Sequence, residues 1–179
     1  MEESEVPLEN VHEEMHHHAR HSGERWTLGV ALSAAVLAGL AAIASLLSGH
    51  HANEGMLEQL HASDQWNYYQ SKGIKAAVLT AKMELLSGLG RSPEDRDRAK
   101  AALYKKEQDD IFHDAKAKEK SSRAHMQLHV VFARGVTLFQ VAIAVSAVSV
   151  LTRRRPFWYV GILFGLAGLG FLVQGLLSQ

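Results

Sequence analysis

The sequence predicts an all-α integral membrane protein with three transmembrane helices and a long extramembrane antiparallel helical hairpin, coiled-coil-like in its packing. Three observations predict it. The windows Trp26–Ala52, Gly135–Thr152 and Pro156–Gln179 contain no Asp, Glu, Lys or Arg, and a helix crosses a hydrocarbon core with roughly 20 apolar residues. The block Gly49 to His129 is polar instead, with thirteen Lys or Arg interspersed among twelve Asp or Glu. Finally, small and apolar residues recur at alternating spacings of three and four through the first window and on into that block, the pattern of one face of a helix in left-handed packing.

Residues 1–25 form a polar tail rich in His and Glu, with seven acids against Arg20 and Arg25. A tail this long and acidic, followed by so long an apolar run, does not read as a cleaved signal peptide. The first transmembrane helix spans 26–48. Its small residues Ala31, Ala35, Ala38, Ala42, Ser45 and Gly49 form a seam on which another backbone can approach closely in lipid. The same spacing runs on through Met56, Leu60, Ile74 and Leu85, so membrane helix and first arm read as one nearly continuous helix ending at Gly88.

The hairpin occupies 49–129 with its turn at 88–92. Ser92 is the predicted N-cap of the returning arm, Pro93 lies in its first turn, and Glu94 and Asp95 sit near the positive end of its dipole. Two arms of equal length would each extend about 58 Å at 1.5 Å per residue. Facing positions would total about 179. The second transmembrane helix spans 130–152, a basic loop fills 153–156, and the third helix spans 157–177. Gly161, Gly165 and Gly168 mark a close-packing face on the third, including a GxxxG pair.

Arg153, Arg154 and Arg155 set the topology. A short basic loop stays in the cytoplasm under the positive-inside rule. Three crossings then leave the N-terminus cytoplasmic and the hairpin periplasmic, in a bacterial inner membrane. Trp26, Phe157, Trp158 and Tyr159 then share the cytoplasmic interface, where aromatic residues concentrate.

The blocks "ASDQWNYYQSKGIK" and "LTRRRPFWYVG" are the most specific parts of a resemblance that covers nearly the whole chain from about Glu13. On them the sequence resembles a bacterial membrane family catalogued as domain of unknown function 4337. The resemblance implies a three-helix membrane protein with a long extramembrane helical segment, and no activity.

The composition excludes several chemistries. The chain has no cysteine, so disulfides, thiolate metal sites and thiol catalysis are absent. No nucleic-acid stripe is visible, and neither is a nucleophile–base motif or nucleotide loop. No catalytic residues and no cofactor are predicted, and the chain is not expected to be an enzyme. The candidate metal ligands are His50, His51, His125 and His129. His125 and His129 are four residues apart on one helix face, and the hairpin register brings His50 and His51 alongside, a set suited to zinc or another divalent metal. Asp110, His113 and Asp114, with His61 and Asp64 opposite, form a second polar cluster that reads as a solvated, salt-bridged face. The tail histidines His12, His16, His17, His18 and His21 could bind metal weakly or sense pH.

Arg134 and Gln140 are the polar marks on the second transmembrane helix, candidates for a pore lining or a polar contact in the membrane. Trp66, Tyr68 and Tyr69 suit a partly wet protein interface. The expected partners are the lipid bilayer and further copies of the chain. The expected role is a homo-oligomeric scaffold with a periplasmic helical stalk. An oligomeric channel and a histidine-based metal or pH sensor are the alternatives.

Overall fold

The computed structural model describes residues 25–178; the predicted tail and its histidines lie outside the described residues. Those residues form three helices and no strand: α1 (Arg25–Gly88), α2 (Asp95–Thr152) and α3 (Arg155–Leu177). Each contains a segment long and apolar enough to cross a membrane. The 64 residues of α1 run without a break from the apolar window through the polar block, because nothing between Trp26 and Leu89 removes a backbone donor.

The two turns are built alike. Helix α1 ends at Gly88 as expected, but Leu89 N–H still bonds Leu85 O, so Gly88 itself stays helical and the chain reverses two residues later. Gly90 takes the left-handed conformation instead, at φ 70°. Its N–H bonds Ser87 O at 3.1 Å and the Arg91 N–H bonds Leu86 O at 2.9 Å, which together make a Schellman motif. The returning helix starts at Asp95, later than the predicted Ser92 cap, with Glu94 O receiving the Asp97 and Arg98 N–H groups. Asp97 is buried and receives Lys82 Nζ at 2.6 Å, so its first turn is also held by side chains.

At the end of α2 the same motif recurs with Arg153 at φ 54°. Its N–H bonds Val150 O and the Arg154 N–H bonds Ser149 O, both at 3.2 Å. A non-glycine residue there costs about 1–2 kcal/mol. The buried Ser149 hydroxyl donates to Arg154 O at 3.0 Å and ties the loop down. Helix α3 then begins at Arg155, with Pro156 in its first turn, where a missing N–H does no harm.

The described chain divides into two compact units, one built from the chain up to His51 and from Gln127 onward, the other from Ala52–Met126. In both, the residues that α1 turns inward repeat every seven positions. Thr27, Ala34, Ala41, Ser48, Gly55, Ala62 and Tyr69 form one line and Val30, Leu37, Ala44, His51, Glu58, Gln65 and Lys72 the other, all of them buried or half-buried. On α2, Ile111, Phe132, Phe139 and Ser146 follow the same repeat and are buried. A seven-residue repeat holds one face against a neighbour in left-handed packing. The stripe predicted from sequence lies on the adjacent face. Ala31 is buried, but Ala42, Ser45 and Gly49 are exposed, as are Met56, Leu60, Ile74 and Leu85.

In the first unit, Phe132 and Phe139 are fully buried and pack with Ala44 and Leu172. A second cluster joins Val30, Ala34, Ala147 and Val150, flanked by Trp26 and Trp158. In the Ala52–Met126 unit, contacts between α1 and α2 run in opposite senses. Ser122 Oγ donates to Gly55 O at 2.7 Å, Lys118 Nζ meets Glu58, Lys72 Nζ donates to Glu107, and Lys82 meets Asp97. Position falls along α2 as it rises along α1.

Candidate functional site

Four groups of residues were candidates for function, and the structure treats them differently. The histidines come first. His129 Nδ1 lies 3.0 Å from Ser48 O and 2.9 Å from Ser48 Oγ. A carbonyl can only accept, so Nδ1 is the donor to Ser48 O. The Ser48 hydroxyl donates to His129 O at 3.3 Å. His51 is 6% exposed, and its ring stacks on Phe132 with centroids 5.6 Å apart. The His50 ring is 5.3 Å from that of His51. His50, His51 and His129 fall in the first unit and His125 in the other, where it packs on Gly55. Among the described residues, no group of three or more His, Asp or Glu is placed to hold a metal ion. The second polar cluster, His61, Asp64, Asp110, His113 and Asp114, is exposed throughout.

The aromatic residues of the arm are bound within their own unit. Trp66 and Tyr69 pack on Phe112, with centroids at 5.6 and 6.1 Å. The Trp66 indole N–H donates to Glu119 Oε1 at 2.9 Å. That bond, and after it the contact with Lys116, holds the Glu119 carboxyl below its usual range. Lys116 lies over the Trp66 ring at 5.3 Å. One and a half turns further along, Lys72 sits between the Tyr68 and Tyr104 rings and binds Glu107. The Glu107 hydrogen bond, then the one to Tyr68, raises its pKa. Tyr68 itself is 49% exposed and remains open to a partner. The Lys72–Glu107 pair was not singled out from sequence. On its line of the seven-residue repeat Lys72 follows His51, Glu58 and Gln65, which are already polar, so no mark in the sequence distinguished it.

The glycines of α3 are close-packing residues used inside the chain. A Cβ on Gly161 would lie 2.7 Å from Ser146 Oγ and 3.0 Å from Ala142 O. One on Gly165 would strike Leu37, and one on Gly168 would strike Phe139. The α1 stripe differs. A Cβ on Gly49 would meet nothing within 4 Å.

Arg134 is exposed and Gln140 half-buried. Arg134 borders a cavity of about 430 Å³ between α2 and α3. At the other end of the apolar part of α2, Arg155 lies 5.7 Å over the Trp26 ring. There Trp158 Nε1 donates to Ser33 Oγ at 3.1 Å.

The sequence signature of one family, described as a domain of unknown function (DUF4337), matches residues 26–178. The chain belongs to the DUF4337 family. The match takes in α1, α2 and α3 together, so the DUF4337 region comprises both compact units. No curated protein and no solved structure matches the chain. Membership therefore brings no activity, ligand or partner with it, and the reading of this DUF4337 chain rests on its own geometry.

Proposed function

We propose that this DUF4337 chain is a membrane-anchored homo-oligomeric scaffold without catalytic activity. Its three apolar helices anchor it in a bacterial inner membrane. The Ala52–Met126 unit forms an antiparallel, coiled-coil-like hairpin on the periplasmic side, a stalk for contacts with other copies. Arg153, Arg154 and Arg155 support this orientation, since a short loop with three arginines favours the cytoplasmic face.

One observation carries the oligomer. The regularly spaced stripe on α1 is buried at Ala31 and half-buried at Ala35 and Ala38 but largely uncovered by the chain's own helices from Ala42 onward, although the glycine face of α3 is filled by them. Ala42, Ser45 and Gly49 are exposed, as are Met56, Leu60, Ile74 and Leu85 further along. Small residues in lipid favour close helix contact, and apolar residues on a polar arm favour burial in water. A sister copy supplies both at once, and a closed symmetry leaves no stripe exposed.

Mass photometry of the full chain in several mild detergents tests this. The wild type should give a particle of several chain masses, and Ala38→Leu with Ala42→Leu should shrink it without loss of helicity. A wild-type particle of one chain mass in every detergent would remove the scaffold reading. Ion conductance in liposomes carrying the purified protein would replace it with a channel.

A further inference from the structure

We infer that Arg134 and the groove beside it hold one anionic phospholipid, the guanidinium on the lipid phosphate and an acyl chain along the apolar wall. Four observations carry this.

The first is a charge imbalance. The described part of the first unit contains Arg25, Arg134, Arg153, Arg154 and Arg155 and not one Asp or Glu, and the chain has no acid at all after Glu119. The second is isolation. Among the described residues nothing bonds or pairs with the Arg134 guanidinium. Arg134 is also the only charged residue between Val130 and Thr152. An ionisable group at such a place takes a partner or snorkels to the interface. The apolar spans of a second copy offer no carboxylate either, which favours lipid over protein as that partner.

The third is the shape of the site. The cavity of about 430 Å³ is lined by Val130, Ala133, Thr137, Leu138 and Phe171 besides Arg134. The one other polar side chain, Thr137, has its hydroxyl committed to Ala133 O at 3.0 Å. The guanidinium is thus the single unsatisfied polar group on an apolar wall. From Val130 to Leu138 the wall runs about 12 Å at 1.5 Å per residue.

The fourth is polarity along the helix. Arg134 stands at the polar end of the apolar run of α2, and only uncharged residues follow it to Thr152. A phosphate at Arg134 with a chain running toward Leu138 therefore has the order of a lipid in its leaflet. Arginine suits the role because its planar fork meets two phosphate oxygens at once. A net-anionic headgroup is favoured over a zwitterionic one, which carries its own ammonium to a surface that is already cationic.

This rests on the membrane reading above and not on the oligomer. The test uses the full chain, reconstituted in vesicles of equal phosphatidylglycerol and phosphatidylcholine, then extracted in mild detergent for native mass spectrometry. The wild type should retain phosphatidylglycerol over phosphatidylcholine. Arg134→Gln should lower that retention about tenfold, the loss of one charge-assisted contact. Arg134→Lys should keep part of it, and Leu138→Trp should lower it by filling the groove while the arginine remains. Arg153→Gln, at the other end of α2, should leave it unchanged. Equal retention by wild type and Arg134→Gln would overturn the inference, as would equal retention of both lipids. Displacement by millimolar inorganic phosphate would also overturn it, showing a free-anion site. Failure of the protein to enter vesicles would instead remove the membrane reading.

Discussion

Gly161 shows how little room the tightest contacts leave. Its missing Cβ is the space occupied by Ser146 Oγ, itself fixed by a 2.8 Å bond to Ala142 O. The other neighbour is backbone and cannot rotate away. Gly161→Ala should therefore destabilise the protein by about 1–3 kcal/mol, the usual cost of overpacking. Gly170→Ala is the control, because a Cβ there would meet nothing within 4 Å. It should be neutral or stabilising by up to about 1 kcal/mol, since alanine loses less freedom in a helix than glycine. Thermal unfolding of both variants in one detergent separates packing from propensity. Titration gives a second residue-scale expectation. Glu119 is held below its ordinary 4.5. Its contribution is present above that value and is lost as pH falls through the lowered one. Lys72 and Lys82 are raised above 10.5, so theirs is present below that value and lost as pH rises through the raised ones. The Tm should fall at both ends of the pH range, and Glu119→Gln should flatten the acid limb alone. An acid limb unchanged by that substitution would show that other carboxylates set it.

The helices end where the backbone demands it, and the turn after α1 makes this testable. Gly88 and Gly90 are two residues apart and both stand in open space. Only Gly90 has a positive φ. Gly90→Ala should cost about 1–2 kcal/mol, the penalty of a left-handed alanine, and Gly88→Ala should be neutral or mildly stabilising. Chemical denaturation of the two variants distinguishes them, and equal effects would mean the turn adopts another form in solution. The same reasoning explains the Arg153 turn. An arginine is tolerated in a conformation suited to glycine because its N–H, the Arg154 N–H and the Ser149 hydroxyl all find acceptors.

For the molecule as a whole, the proposed topology puts the two turns on opposite sides of the membrane. The chain has no cysteine, so single substitutions report cleanly. In intact spheroplasts an impermeant thiol reagent should label Ser92→Cys and spare Thr152→Cys until the membrane is broken. Labelling of Thr152→Cys alone would invert the protein and move the Arg134 lipid site to the other leaflet.

The sequence by itself determined the helical class, the three apolar segments and the unbroken length of α1, because uncharged windows and the absence of internal proline act locally. It also marked Arg134, since one charge in an apolar run is visible without a fold. Which face of α1 turns inward was decided only in three dimensions. Two adjacent lines on that helix are rich in small residues, and both suit close packing. The line through Thr27, Ala34, Ala41, Ser48, Gly55 and Ala62 is buried or half-buried together with the Val30 line, where Phe132 and Phe139 of α2 pack with Ala41 and Ala44 and the Ser122 hydroxyl reaches Gly55 O. Trp66 and Tyr69 followed, drawn onto Phe112, and the α3 glycines were taken up by Leu37, Phe139 and Ser146. Small residues say that something packs closely. Only the neighbour's volume and its hydrogen-bonding groups say what, since one turn of helix offers several faces of equal polarity and a single fit.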